Sequence, residues 1–140
     1  MSIQAHLREN FQVEVQAGEH KLLIDEPVSV GGDDLGPNPY DVLLAGLAAC
    51  KLITVRMYAR RKEWPLEDIE LKMSTRKIHA RDCEECESDP NARIDLIETE
   101  LRFIGDLDDE QKARLLDISE RCPVQRTLTS ETVVRSKLLS

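Results

Sequence analysis

The chain has 140 residues, with 19 Lys and Arg against 27 Asp and Glu, and so carries a net charge of −8. That length suits a single domain, residues 1–140, burying roughly 68–70% of its unfolded surface without disulfide staples. An aromatic content of 4% and the acidic balance exclude stacking platforms for single strands and the basic footprint that nucleic acid or an anionic membrane demands.

The amino terminus, MSIQAHLREN, offers no apolar signal-peptide core. The longest uncharged apolar run, Val42 to Cys50, is nine residues, against the roughly 20 a membrane span needs. A cytoplasmic protein is expected, and in that reducing compartment four Cys point to reactivity or metal binding rather than a disulfide framework.

In chain order, Ile3–Leu7, Phe11–Gln16 and Lys21–Ile24 read as short strands, with a turn at Ala17-Gly18 and a stop at Asp25-Glu26-Pro27. The turn-rich segment Gly31-Gly32-Asp33-Asp34-Leu35-Gly36-Pro37-Asn38-Pro39 follows, in which Asn38 can cap a helix with Pro39 at its first position. Tyr40 to Arg61 is helical and, through Met57, apolar almost all round, the pattern of a buried helix. Leu66–Ile78 and Ile94–Ile104 alternate as two long strands, joined by an acidic loop that carries Cys83 and Cys86. Asp109 to Arg121 forms a second helix behind an Asp108/Gln111 capping box. Cys122-Pro123 interrupts it and restarts a short helix through Thr129, and Thr132–Leu139 closes the chain as a strand. The order predicts an α+β fold: a largely antiparallel sheet of about six strands around a long buried central helix. One such sheet covers one side of that helix, so pairing of two copies as a homodimer is expected to bury the rest.

Cys50 lies within the apolar helix, where a free Cys is commonly a core residue. Gly46 at i−4 leaves space beside it, and Thr54 at i+4 places a hydroxyl within reach of a sulfur. Cys122 precedes a proline, so it reads as an N-cap whose thiolate free N–H groups would stabilise, or as a Cys merely tolerated at a helix junction. The two are 72 residues apart, and spacing alone does not bring them together. Cys83 and Cys86 form a CxxC flanked by Asp82, Glu84, Glu85 and Glu87, which raise thiol pKa values and slow attack. A soft-metal site using His79, Cys83 and Cys86 with a fourth ligand from elsewhere suits that pattern better than a redox pair; a loop of unliganded thiols is the plain alternative.

Gly31-Gly32-x3-Gly36-Pro37-Asn38-Pro39-Tyr40-Asp41 followed by Leu-Ala-Ala-Cys50, together with Cys122-Pro123-Val124 and the Gly18-x-His20…Asp25-Glu26-Pro27 opening, resembles the OsmC/Ohr family (osmotically inducible protein C and organic hydroperoxide resistance protein). The resemblance implies an intertwined homodimer with active sites at the subunit interface and the long helices at its centre. It implies a thiol peroxidase of the oxidative stress response: Cys50 attacks an organic hydroperoxide and becomes a sulfenic acid. Cys122 resolves this to a disulfide, and an external dithiol reduces it, with no cofactor. Family peroxidases hold an arginine from the amino-terminal strands near the thiolate, and Arg8 is the positional match, with a solvated turn residue as the alternative. Their supporting Glu, two residues after Asn, is Tyr40 here, followed by Asp41. Asp41 lies about 13 Å from Cys50 along the helix and on roughly the opposite face. Many relatives carry His where Gln125 follows Cys-Pro-Val. A dimer of this fold that senses redox state or binds an apolar ligand without efficient turnover, with or without the metal site, is the competing expectation.

Overall fold

In a computed structural model, which describes residues 1–139, the strands form where polar and apolar residues alternate. β1 (Ile3–Leu7), β2 (Val13–Ala17) and β3 (His20–Ile24) make a three-stranded antiparallel sheet in the order β1-β2-β3, with Ala5 opposite Val15 and Val15 opposite Leu22. Helix α1 (Pro39–Lys62) follows. β4 (Leu66–His79) and β5 (Arg93–Gly105) form a long antiparallel ladder that pairs Ile69 with Phe103 and His79 with Arg93. α2 (Asp109–Ser119) and α3 (Pro123–Thr129) complete the regular structure among the described residues. The chain divides within α1 into two compact units, Met1–Leu47 and the remainder from Ala48, each with its own sheet.

The amino-terminal unit is organised by Asp25, 1% exposed. Its carboxylate accepts from the Glu26 N–H at 2.8 Å and the Leu35 N–H at 3.1 Å. The loop it gathers packs closely on the preceding chain: a side chain at Gly36 would strike the Leu23 carbonyl of β3, and one at Gly32 the Glu26 carbonyl just past it. Burial pushes the Asp25 carboxyl up, but the N–H groups of Glu26, Leu35 and Asp33 outweigh it and hold it below its ordinary value. A carboxyl depressed on folding stabilises above its unfolded pKa and loses that stabilisation as pH falls through the folded one. Asp25→Asn is therefore expected to lower the melting temperature at neutral pH, with the gap to wild type closing as pH drops through the carboxylate range. Melting curves at graded pH check this; a gap that widens in acid contradicts it.

The second unit is built on an apolar cluster of Val55, Tyr58 and Ala59 from α1, Leu66 and Phe103 from the ladder, Leu107, and Leu115 and Ile118 from α2. α2 starts at the expected capping box, with Gln111 N donating to Asp108 Oδ1 at 2.7 Å and Asp108 N to Gln111 Oε1 at 2.9 Å. Tyr58 joins α1 to α2 by accepting from Arg114 Nε at 3.1 Å, a bond that pulls its phenol below the usual range.

Three expectations change. Thr132–Leu139 is exposed and without regular structure rather than a strand: a strand requires a neighbour to pair its backbone N–H and C=O groups, and the ladders described have none for it. The strands form two separate antiparallel sheets of three and two rather than one of about six. Helix α1 is buried along one stripe, through Leu47, Lys51, Val55, Tyr58 and Ala59, while Ile53 and Met57 stay 55% and 63% exposed. By length and composition alone α1 is apolar enough to cross a bilayer. Its Lys51 is nevertheless tied into the second unit by that unit's own polar groups, as a protein core helix would be.

Candidate active site

Asn38 and Pro39 start α1 as the sequence indicated: Asn38 Oδ1 accepts from the Asp41 N–H at 2.8 Å. Eleven residues into the helix stands Cys50, a half-buried free thiol. Thr54 does not serve its sulfur; the hydroxyl donates instead to the Cys50 carbonyl at 2.7 Å, the common choice of a helical threonine.

Cys122 is fully buried and is the N-cap of α3. Pro123 takes the first helical position, where no N–H is needed, and the Cys122 sulfur accepts from the Gln125 N–H at 3.3 Å. Folding brings the two free cysteines near enough for the Cys50 thiol to bear on the ionisation of Cys122. Burial pushes the Cys122 thiol up. The Gln125 N–H opposes that, the Cys50 thiol adds to it, and the Lys51 ammonium pulls it down; the net direction is up.

Lys51 was not singled out from the sequence. It is 3% exposed, and its ammonium donates to the Ser119 carbonyl at 3.3 Å and to Gln125 Oε1, and lies 3.5 Å from Glu120 Oε1. Gln125 Nε2 in turn donates to Glu120 Oε2 at 2.7 Å. This closed network holds a positive charge beside the thiol pair and fixes the start of α3 against α1. A buried ammonium is costly unless paired and hydrogen-bonded, and this one has both kinds of partner. The signal was present in the sequence: Lys51 is the only charge between Asp41 and Arg56 on a helix otherwise apolar.

Arg8 belongs to the amino-terminal unit, where it pairs with Glu14 at 3.3 Å. Tyr40 is 71% exposed, and Asp41 is exposed in the first helical turn, where a carboxylate favours the helix dipole. The three-ligand metal set does not assemble: Cys83 and Cys86 are joined in a disulfide, so neither sulfur is a thiolate. His79 Nδ1 is buried without a hydrogen-bond partner, and among the described residues no group of three His, Cys, Asp or Glu is placed to hold a metal.

The family profile described as OsmC-like protein matches residues 31–137, a span that contains all four cysteines. The chain belongs to the OsmC-like family. Solved OsmC and Ohr structures share its fold. An OsmC-like protein from Mycoplasma pneumoniae superposes with a TM-score of 0.66 at 22% identity, covering 91% of this chain and 85% of that one. An organic hydroperoxide resistance protein from Legionella pneumophila gives 0.63 at 22%, covering 91% and 88%. The organic hydroperoxide resistance protein OhrB of Bacillus subtilis gives 0.59 at 19%, covering 91% and 89%. No curated protein matches the chain. Within this OsmC-like chain, both helix-borne cysteines lie in the matched span and Arg8 lies outside it.

Proposed function

We propose that this OsmC-like protein is a cytoplasmic, homodimeric thiol peroxidase that reduces organic hydroperoxides. The observation that carries the reading is the pairing of two free thiols of unequal exposure beside a buried ammonium. Cys50, the more accessible, is the attacking group. Its thiolate takes the terminal oxygen of ROOH, the O–O bond breaks, and the alkoxide leaves as ROH after protonation. Cys50 becomes a sulfenic acid. The Cys122 thiolate then attacks the Cys50 sulfur and expels hydroxide, which takes up a proton to become water, forming a disulfide, and an external dithiol returns two electrons and two protons. Cys122 is sealed from solvent, which favours its encounter with Cys50 over loss to other oxidants. Hydroperoxide-resistance activity in the names of the fold relatives is consistent with this chemistry.

The dimer is supported by the exposed apolar side chains of α1, including Leu43, Ile53 and Met57, with Gly46 open to close approach. A second copy of α1 would cover that stripe. The experiment that tests the function is consumption of an alkyl hydroperoxide with a dithiol reductant, comparing wild type with Cys50→Ser. Turnover is expected only from wild type; equal rates in the two proteins overturn the proposal.

A further inference from the structure

The cysteine pair that the peroxidase reading does not use is the Cys83–Cys86 disulfide between β4 and β5. As a staple it is nearly redundant. The connection is already closed by backbone bonds from Ala80 N to the Ala92 carbonyl at 2.9 Å, Arg81 N to the Pro90 carbonyl at 3.2 Å and Ala92 N to the Asp89 carbonyl at 2.8 Å. A ring linking residues three apart also gains least from cross-linking, because the stabilisation grows with the loop closed.

Its position leaves it open to exchange, and the carboxylates that slow attack by an anionic thiolate set which partner can approach. Cys83 and Cys86 are only half buried, and Cys83 helps line a surface cleft of about 660 Å³ together with His79, Asp82, Glu84 and Glu85. Access to one sulfur, with the other as leaving group, is the geometry that thiol–disulfide exchange requires. The loop that carries the disulfide has an acidic excess, with Asp82, Glu84, Glu85 and Glu87 against the exposed Arg81. The basic wall of the cleft is neutralised across the ladder, Arg76 by Glu98 at 3.2 Å and Lys77 by Asp95 at 2.8 Å. Asp82, Glu84, Glu85 and Glu87 are exposed, and none of them joins an ion pair among the described residues. Carboxylates grouped around a sulfur repel an incoming anionic thiolate and attract a co-reactant that carries positive charge.

We propose that Cys83–Cys86 is a second thiol–disulfide exchange centre of this protein, selective for cationic thiols and disulfides. An incoming thiolate attacks Cys83 Sγ, the Cys83–Cys86 bond breaks, and Cys86 leaves as a thiolate that is protonated. A second thiol attacks the mixed disulfide, releasing RSSR and leaving Cys83 as a thiol. Two electrons and two protons pass from two RSH to the protein, and in reverse the dithiol reduces a basic disulfide. The proposal does not depend on Cys50 or Cys122.

The test follows reduction of the native protein by cysteamine, a cationic thiol, and by glutathione, an anionic one, over a range of salt. Differential alkylation and peptide mapping report Cys83 and Cys86 separately from the other thiols. Both reagents are expected to open the pair in the folded state. The glutathione rate rises with salt, while the cysteamine rate, whose attacking thiolate is a net-neutral zwitterion, changes little, so the cysteamine-to-glutathione ratio drops about fivefold or more between low and ~0.5 M ionic strength. The double substitution Glu84→Gln/Glu85→Gln is expected to shrink that drop, which separates surface charge from the intrinsic reactivity of the two reagents. A pair that stays closed until the protein unfolds, a pair that never forms in air, or a rate ratio indifferent to salt overturns the proposal.

Discussion

Lys51→Met is expected to slow closure of the Cys50–Cys122 disulfide about tenfold at neutral pH, and to move the pH dependence of that step upward. The sign follows from the thiol's surroundings. Burial already holds Cys122 above the ordinary thiol range, and Lys51 is the cation acting against it. Removing the charge leaves less Cys122 thiolate at any given pH, so recovery at high pH is part of the prediction. Stability should change little, by ~1–2 kcal/mol. Methionine suits an apolar stripe, and the orphaned Glu120 side chain is 51% exposed and can turn to water. Stopped-flow measurement of disulfide closure against pH distinguishes this from a general loss of packing, which would lower the rate without shifting the profile. Lys51→Arg, which keeps the charge, should retain the wild-type profile.

Cys122→Ser is expected to convert turnover into a single event. Cys50 can still attack the hydroperoxide and release one equivalent of alcohol, but its sulfenic acid has no internal thiol to meet. The steady-state rate should fall by about 10²-fold or more while the first equivalent is still consumed. A dimedone-type probe should then label Cys50 in the variant and not in wild type, where disulfide closure competes. Cys122 is fully buried at a helix cap, so the circular dichroism spectrum of the variant is the necessary control.

How much of this was legible in the sequence depends on whether the deciding interaction is local. β1 and α3 fall at the residues their patterns indicate, because alternation and the Cys-Pro junction are local signals. The caps at Asn38 and Asp108 are side chains bonding backbone three residues on, and were equally readable. Thr132–Leu139 shows the limit of this: its β-branched residues suit a strand, but pairing is not local, and no partner lies within the ladders of this chain. Lys51 was passed over because its meaning comes from Ser119, Glu120 and Gln125, 68 to 74 residues away. The proximity of Cys50 and Cys122 was reached only through the family resemblance. The Cys83–Cys86 bond was missed because the expected reducing compartment argued for thiols, although a separation of three residues lets a turn bring two sulfurs together.

In the proposed cycle Cys50 and Cys122 act as one redox couple, and one measurement addresses that directly. The reduced protein is treated with a single equivalent of an alkyl hydroperoxide, the thiols are blocked, and the cysteine peptides are mapped by mass spectrometry. The result predicted is a new bond linking the Cys50 and Cys122 peptides, formed in step with one alcohol released per chain. Consumption of the hydroperoxide with Cys50 and Cys122 both still free would contradict it.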